Sequence, residues 1–179
     1  MSGAGRRSLA FLLVCGSLVL ALAMGVRFTA GIFLQPMTLA NGWGREIFSL
    51  AVAVQNIVWR LASPIAGAIA DRYGPGRTLA GGALAYCAGL VLMAHAATPL
   101  ALDVSTGLLI GIGMAGTSYA VVMGVIGRHA SPEKRSMALG IVGAGGSFGQ
   151  FAVLPAGQAL IGHYGWQTAL LILANGFFV

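Results

Sequence analysis

The chain has 179 residues, of which 58% are hydrophobic and 8% charged. A water-soluble domain carries about 25% charged residues. So apolar a chain could not cover its own surface with polar groups, which excludes a soluble globular protein. The formal charge of +6 does not mark a nucleic-acid binder, because the basic residues stand singly or in pairs between apolar runs and form no basic face.

A membrane-crossing helix needs about 20 apolar residues, and the chain divides into runs of that order. Arg6 and Arg7 precede the first, which predicts a helix over 9–37. The start resembles a secretory signal around Ala21-Leu22-Ala23, but the apolar run continues past that point through Gly31-Ile32-Phe33-Leu34, as a cleaved leader would not. Further runs predict helices over 48–70, 78–97, 100–126 and 137–161, and a sixth over 166–179. The sixth has 14 residues, about 21 Å at 1.5 Å per residue, against a hydrocarbon core of about 30 Å. The expectation is an all-α membrane protein of six transmembrane helices, the last truncated. Short connections make neighbouring helices antiparallel.

The charges orient this array. Arg6, Arg7, Arg72, Arg77, Arg128, Lys134 and Arg135 fall on one side, and only Arg45 on the other. Basic loops stay in the cytoplasm. The expected placement is a multi-pass protein of the inner (plasma) membrane with its N-terminus inside. Cys15 and Cys87 lie in apolar runs and read as small hydrophobes. His95, His129 and His163 are far apart with no cysteine beside them, so no metal or other cofactor is expected. The 28 glycines sit within apolar segments, as in closely packed membrane helices.

The most specific local signal lies between the second and third runs, at Gly67-Ala68-Ile69-Ala70-Asp71-Arg72-Tyr73-Gly74-Pro75-Gly76-Arg77. Asp71 at a helix end can pair with an arginine or accept from a helix N-terminus, and Gly74-Pro75 forces a tight turn. The stretch resembles the major facilitator signature G-x-x-x-D-R-x-G-R-R at Gly67, Asp71, Arg72 and Gly74, with Arg77 supplying a basic residue near its end. Pro75 and Gly76 depart from it. Further stretches resemble the monocarboxylate and oxalate/formate antiporter branch of that family: Asn41 to Arg45, Gln55 to Trp59, Ser131 to Ser136, Gly143 to Gln150, Pro155, and Gly165-Trp166.

The resemblance implies a fold of twelve helices, of which this chain is the N-terminal half, the C-terminal half being absent. It implies that Gly67, Asp71, Arg72, Gly74 and Arg77 form a loop that latches the two halves in the outward-facing state. Its implied partners are the lipid bilayer, the missing half, a small organic anion and a coupling ion, either a proton or a counter-anion. Gly107 stands about where many proton-coupled relatives carry an arginine, so a drug/proton antiporter is not expected.

Two arginines fall inside spans. Arg60 is near the middle of the second, and Arg27 slightly to the outer side of the middle of the first. A central arginine costs about 2.5–3.5 kcal/mol on the insertion scale and normally faces a cavity. An arginine can hold a carboxylate through two parallel hydrogen bonds. Arg27 also reads as an interfacial anchor if the first helix ends near Gly25. Gln55 and Asn56, about a turn from Arg60, and Tyr119, Ser147 and Gln150 near mid-depth are cavity liners or interhelical hydrogen bonds. The substrate-binding set is Arg27, Arg60, Gln55, Asn56, Tyr119 and Gln150. No paired acids or Cys/His set lies within the spans, so an intramembrane enzyme is not expected. The functional expectation is a secondary transporter for small organic anions such as monocarboxylates, by alternating access. The alternatives are an inactive truncated fragment and an efflux carrier for another small molecule.

Overall fold

A computed structural model describes residues 3–178 of the chain. The side chains of Arg6 and Arg7, and Val179, lie outside the described residues. The elements in order are α1 (Gly3–Asn41), α2 (Arg45–Tyr73), α3 (Pro75–Ala94), α4 (Pro99–Leu102), a π-helical segment (Asp103–Leu109), α5 (Ile110–Gly116), α6 (Tyr119–His129) and α7 (Pro132–Asn175), with a 3-10 turn at Gly176–Phe178. Among the described residues, five stretches are long and apolar enough to cross a membrane: Ala10–Asn41, Arg45–Tyr73, Pro75–Ala94, Pro99–Arg128 and Pro132–Asn175.

Two features depart from uninterrupted spans. The first is in the fourth run, expected as one helix over 100–126. It is π-helical at Asp103–Leu109 and broken at Thr117-Ser118. The widened π ladder frees backbone groups for side chains. The Thr106 carbonyl accepts from Gln55 Nε2 at 3.1 Å, and the Leu102 carbonyl accepts from Ser105 Oγ at 3.1 Å. Ser118 has extended backbone (φ −70°, ψ 157°), and Thr117 Oγ1 donates back to the Gly113 carbonyl at 2.9 Å.

The second is α7, whose 44 residues would measure about 66 Å if straight, twice a hydrocarbon core. Gly165, at φ 78° and ψ 163°, divides it into two helices. A side chain would resist that backbone, which glycine adopts freely. The stretch after Gly165 returns alongside α3. Leu170 shares a cavity with Leu90 and Met93, and Phe177 stacks on Tyr86 with ring centroids 4.7 Å apart.

Glycines set the helix spacing. In lipid there is no hydrophobic gain from joining apolar helices, so association rests on close van der Waals packing. α1 lies against α7, where Gly149 meets the Ala21 backbone and a Cβ at Gly25 would come 2.8 Å from the Gly149 carbonyl oxygen. α3 lies against α5, where a Cβ at Gly82 would come 2.8 Å from the Gly116 Cα. α2 lies against the π segment and α5, where Gly107 and Gly111 receive Val54 and Val58. The larger core gathers Phe33, Met37, Tyr86, Leu90, Leu102, Met114 and Leu170, all nearly fully buried. A smaller one, at the end of the bundle that carries Asp71, joins Leu20, Val122, Ile126 and Val142.

Candidate functional site

Arg27 is half-buried in α1 where that helix faces α2. Its Nη2 donates to Asn56 Oδ1 at 3.2 Å, and its guanidinium carbon lies 4.2 Å from the centroid of the Trp59 ring. Asn56 is itself oriented, because its Nδ2 donates to the Val52 carbonyl at 2.8 Å. Asn56 and Trp59 are three residues apart and therefore share a helix face. The cation is thus held by a neutral amide and a π face. Among the described residues the one ion pair is Arg128–Asp71, so no described carboxylate neutralises Arg27.

Two cavities meet at this guanidinium. The inner one has about 20 Å³, room for roughly one water, and is lined by Arg27, Gln55, Tyr86 and Thr106 among apolar neighbours. Thr106 Oγ1 is buried there with no hydrogen-bond partner. Tyr86 donates its hydroxyl to the Ala23 carbonyl at 3.3 Å. The outer one is an open groove of about 460 Å³ between α1 and α2, lined by Arg27, Phe28, Leu34, Phe48, Ser49 and Val52. It combines one cation and one hydroxyl with apolar walls, a composition suited to a small anion with an apolar body.

Of the other residues singled out from the sequence, Gln55 is buried, lines the inner cavity and ties α2 to the π segment. Arg60 is exposed on α2, four residues after Asn56 and so on the same side of that helix, and close enough to act on Arg27 as a like charge. Tyr119 is elsewhere, its hydroxyl set against Gly146 of α7. Gln150 is half-buried on α7 and lines neither cavity at Arg27. Gly107, where an arginine would stand in many proton-coupled relatives, receives Val54 from α2. Trp59, Thr106 and Ser49 were not singled out from the sequence as site residues. Trp59 was legible in principle, one helical turn beyond Asn56 on the same face.

The signature loop forms a second polar cluster. Gly74, at φ 92° and ψ 143°, turns the chain from α2 into α3. Its N–H donates to the Ala70 carbonyl at 3.1 Å, and Pro75 opens α3 at a position where no N–H is needed. Asp71 accepts from Arg128 Nη1 at 2.9 Å, tying the end of α2 to the end of α6. Both side chains are at least half exposed, so the pair contributes at most about 1 kcal/mol of stability. Its place in the bundle matters more than its strength. Arg72 reaches over the Tyr73 ring at 5.3 Å. At Gly67 the space a Cβ would enter is empty in this chain.

Long apolar helices packed into one bundle define a multi-pass membrane protein. The chain belongs to the Major Facilitator Superfamily, whose profile matches residues 16–179. It is similar to Monocarboxylate transporter 13 of Bos taurus, with 30% identity over 154 residues, 86% of this chain and 36% of that protein. It is also similar to Monocarboxylate transporter 11 of Mus musculus, with 34% identity over 127 residues, 71% of this chain and 27% of that protein. The chain thus spans about a third or less of the length of the curated relatives it matches.

Proposed function

We propose that this chain is the first-half bundle of a secondary carrier for small organic anions, chiefly monocarboxylates, and that it is not an enzyme. The observation that carries the reading is Arg27: a mid-span guanidinium held by Asn56 and Trp59 without a carboxylate partner, and opening onto the outer groove. Buried charges are matched by a counter-charge, and a substrate carboxylate supplies one here. The apolar walls of Phe28, Leu34, Phe48 and Val52 receive the rest of the molecule. Relatives named as monocarboxylate transporters support the same substrate class.

In this reading the chain sits in the inner (plasma) membrane with its N-terminus in the cytoplasm, because seven basic residues flank the spans on the Asp71 side and one on the other. A second six-helix bundle completes the carrier, and alternating access is the rocking of the two bundles about the site. A proton or a counter-anion drives it. The Asp71–Arg128 pair and the Gly74 turn belong to the latch between the halves. The test is equilibrium binding of a short monocarboxylate against its primary amide, which has nearly the same shape without the charge. Monocarboxylate binding that the amide does not match supports the reading. Equal binding of the two overturns it.

A further inference from the structure

A separate feature lies at the Asp71 end of the bundle, between α2 and α3. The glycine contacts draw both helices onto the fourth span: α2 through Gly107 and Gly111, α3 through Gly82 against Gly116. Between them they leave a groove of about 370 Å³, walled by Ile65 and Ile69 of α2 and by Gly81 of α3, and floored by Ile112, Ala115 and Gly116. Beyond its own helix turn, no described residue lies within 4 Å of a Cβ placed at Gly81. The α2 wall from Ala62 to Ile69 is about 10 Å long at 1.5 Å per residue, shorter than one leaflet of a hydrocarbon core of about 30 Å.

Arg77 stands at the mouth of this groove, exposed on the first turn of α3. Its surroundings are left positive. Asp71, the nearest acid along the chain, is engaged by Arg128, Arg72 is close by in sequence, and the N-terminus of the 20-residue α3 adds its dipole. An apolar slot in the membrane-crossing part of the bundle, ending at a guanidinium that no described side chain engages, has the complementary chemistry of one molecule type.

We infer that the α2–α3 groove is a binding site for an acidic phospholipid, with one acyl chain along Ile65, Ile69 and Gly81 and the headgroup phosphate on Arg77. Basic positions between transmembrane helices at a membrane surface recognise anionic headgroups in this way. The site is distinct from the Arg27 groove and does not depend on the anion reading.

The test is native mass spectrometry of the detergent-purified chain with phosphatidylglycerol or phosphatidylcholine of identical acyl chains. The expected result is about fivefold stronger retention of phosphatidylglycerol, the factor one surface arginine supplies. Arg77→Gln brings the two lipids level, and Arg77→Lys restores most of the preference. Gly81→Leu fills the slot and removes the bound lipid, while thermal stability without lipid does not fall, because the new side chain enters empty space and leucine favours the helix over glycine. Arg45→Gln, at the other end of the bundle, leaves the preference intact. An unchanged preference in Arg77→Gln, undiminished lipid in Gly81→Leu, or a crosslink showing a second copy of the chain in the groove overturns the inference.

Discussion

Replacing Arg27 separates a binding role from a structural one, because the terms that hold it in place nearly cancel. The charged hydrogen bond to Asn56 contributes about 1.5–3 kcal/mol, and the stack on Trp59 about 0.5–2 kcal/mol. Against these stands a cost of about 2.5–3.5 kcal/mol for an arginine at mid-span. Arg27→Ala is therefore expected to shift folding stability by between about −1.5 and +2.5 kcal/mol, centred near 0.5 kcal/mol. Anion binding behaves differently. Leaving a buried carboxylate without its cation costs about 2–5 kcal/mol, a loss of roughly thirtyfold to several thousandfold in affinity. Arg27→Lys is expected to recover binding in part, because an ammonium keeps the charge but not the two-pronged geometry. The assay is thermal stabilisation of the reconstituted protein by a short monocarboxylate, with the unliganded melting temperature read in the same scan. Wild-type affinity in Arg27→Ala would show that Arg27 is an interfacial anchor. A collapse of unliganded stability would show that its place is structural.

Further outcomes follow from the same geometry. Trp59→Leu is expected to weaken anion binding several-fold while Trp59→Phe keeps most of it, since the ring face is what holds the guanidinium; equal losses in titrations of the two variants would refute this. Gly149→Val is expected to destabilise the bundle by about 2 kcal/mol or more, because its side chain would enter the Ala21 backbone, whereas Gly140→Ala, in open space inside α7, is expected to raise stability by about 0.5–1 kcal/mol. A double-mutant cycle on Asp71→Asn and Arg128→Gln is expected to return a coupling below about 1 kcal/mol in unfolding experiments, and a larger value would mean the pair is better shielded than its exposure implies. With single cysteines in place of Arg77, Lys134 and Asn41, an impermeant reagent applied to intact cells is expected to label only the Asn41 position, and labelling at Arg77 would reverse the orientation.

The sequence alone settled the medium and the class of fold. Hydropathy adds over a window of some 20 residues whatever the helices touch, so the apolar runs and the Gly74 turn were legible without coordinates. Which helix meets which, and with what face, was not, because it depends on the rotation of each helix about its axis and on contacts far apart in the chain. Only the tertiary structure placed Asn56 and Trp59 on Arg27 while leaving Arg60 exposed, and put Tyr119 against Gly146 instead. It likewise chose Arg128 as the partner of Asp71 across 57 positions of sequence. The break at Thr117-Ser118 and the π segment escaped the hydropathy pattern because both are built from side-chain-to-carbonyl hydrogen bonds. Those bonds leave the apolar content of the run unchanged and become visible only when donor and acceptor are seen together.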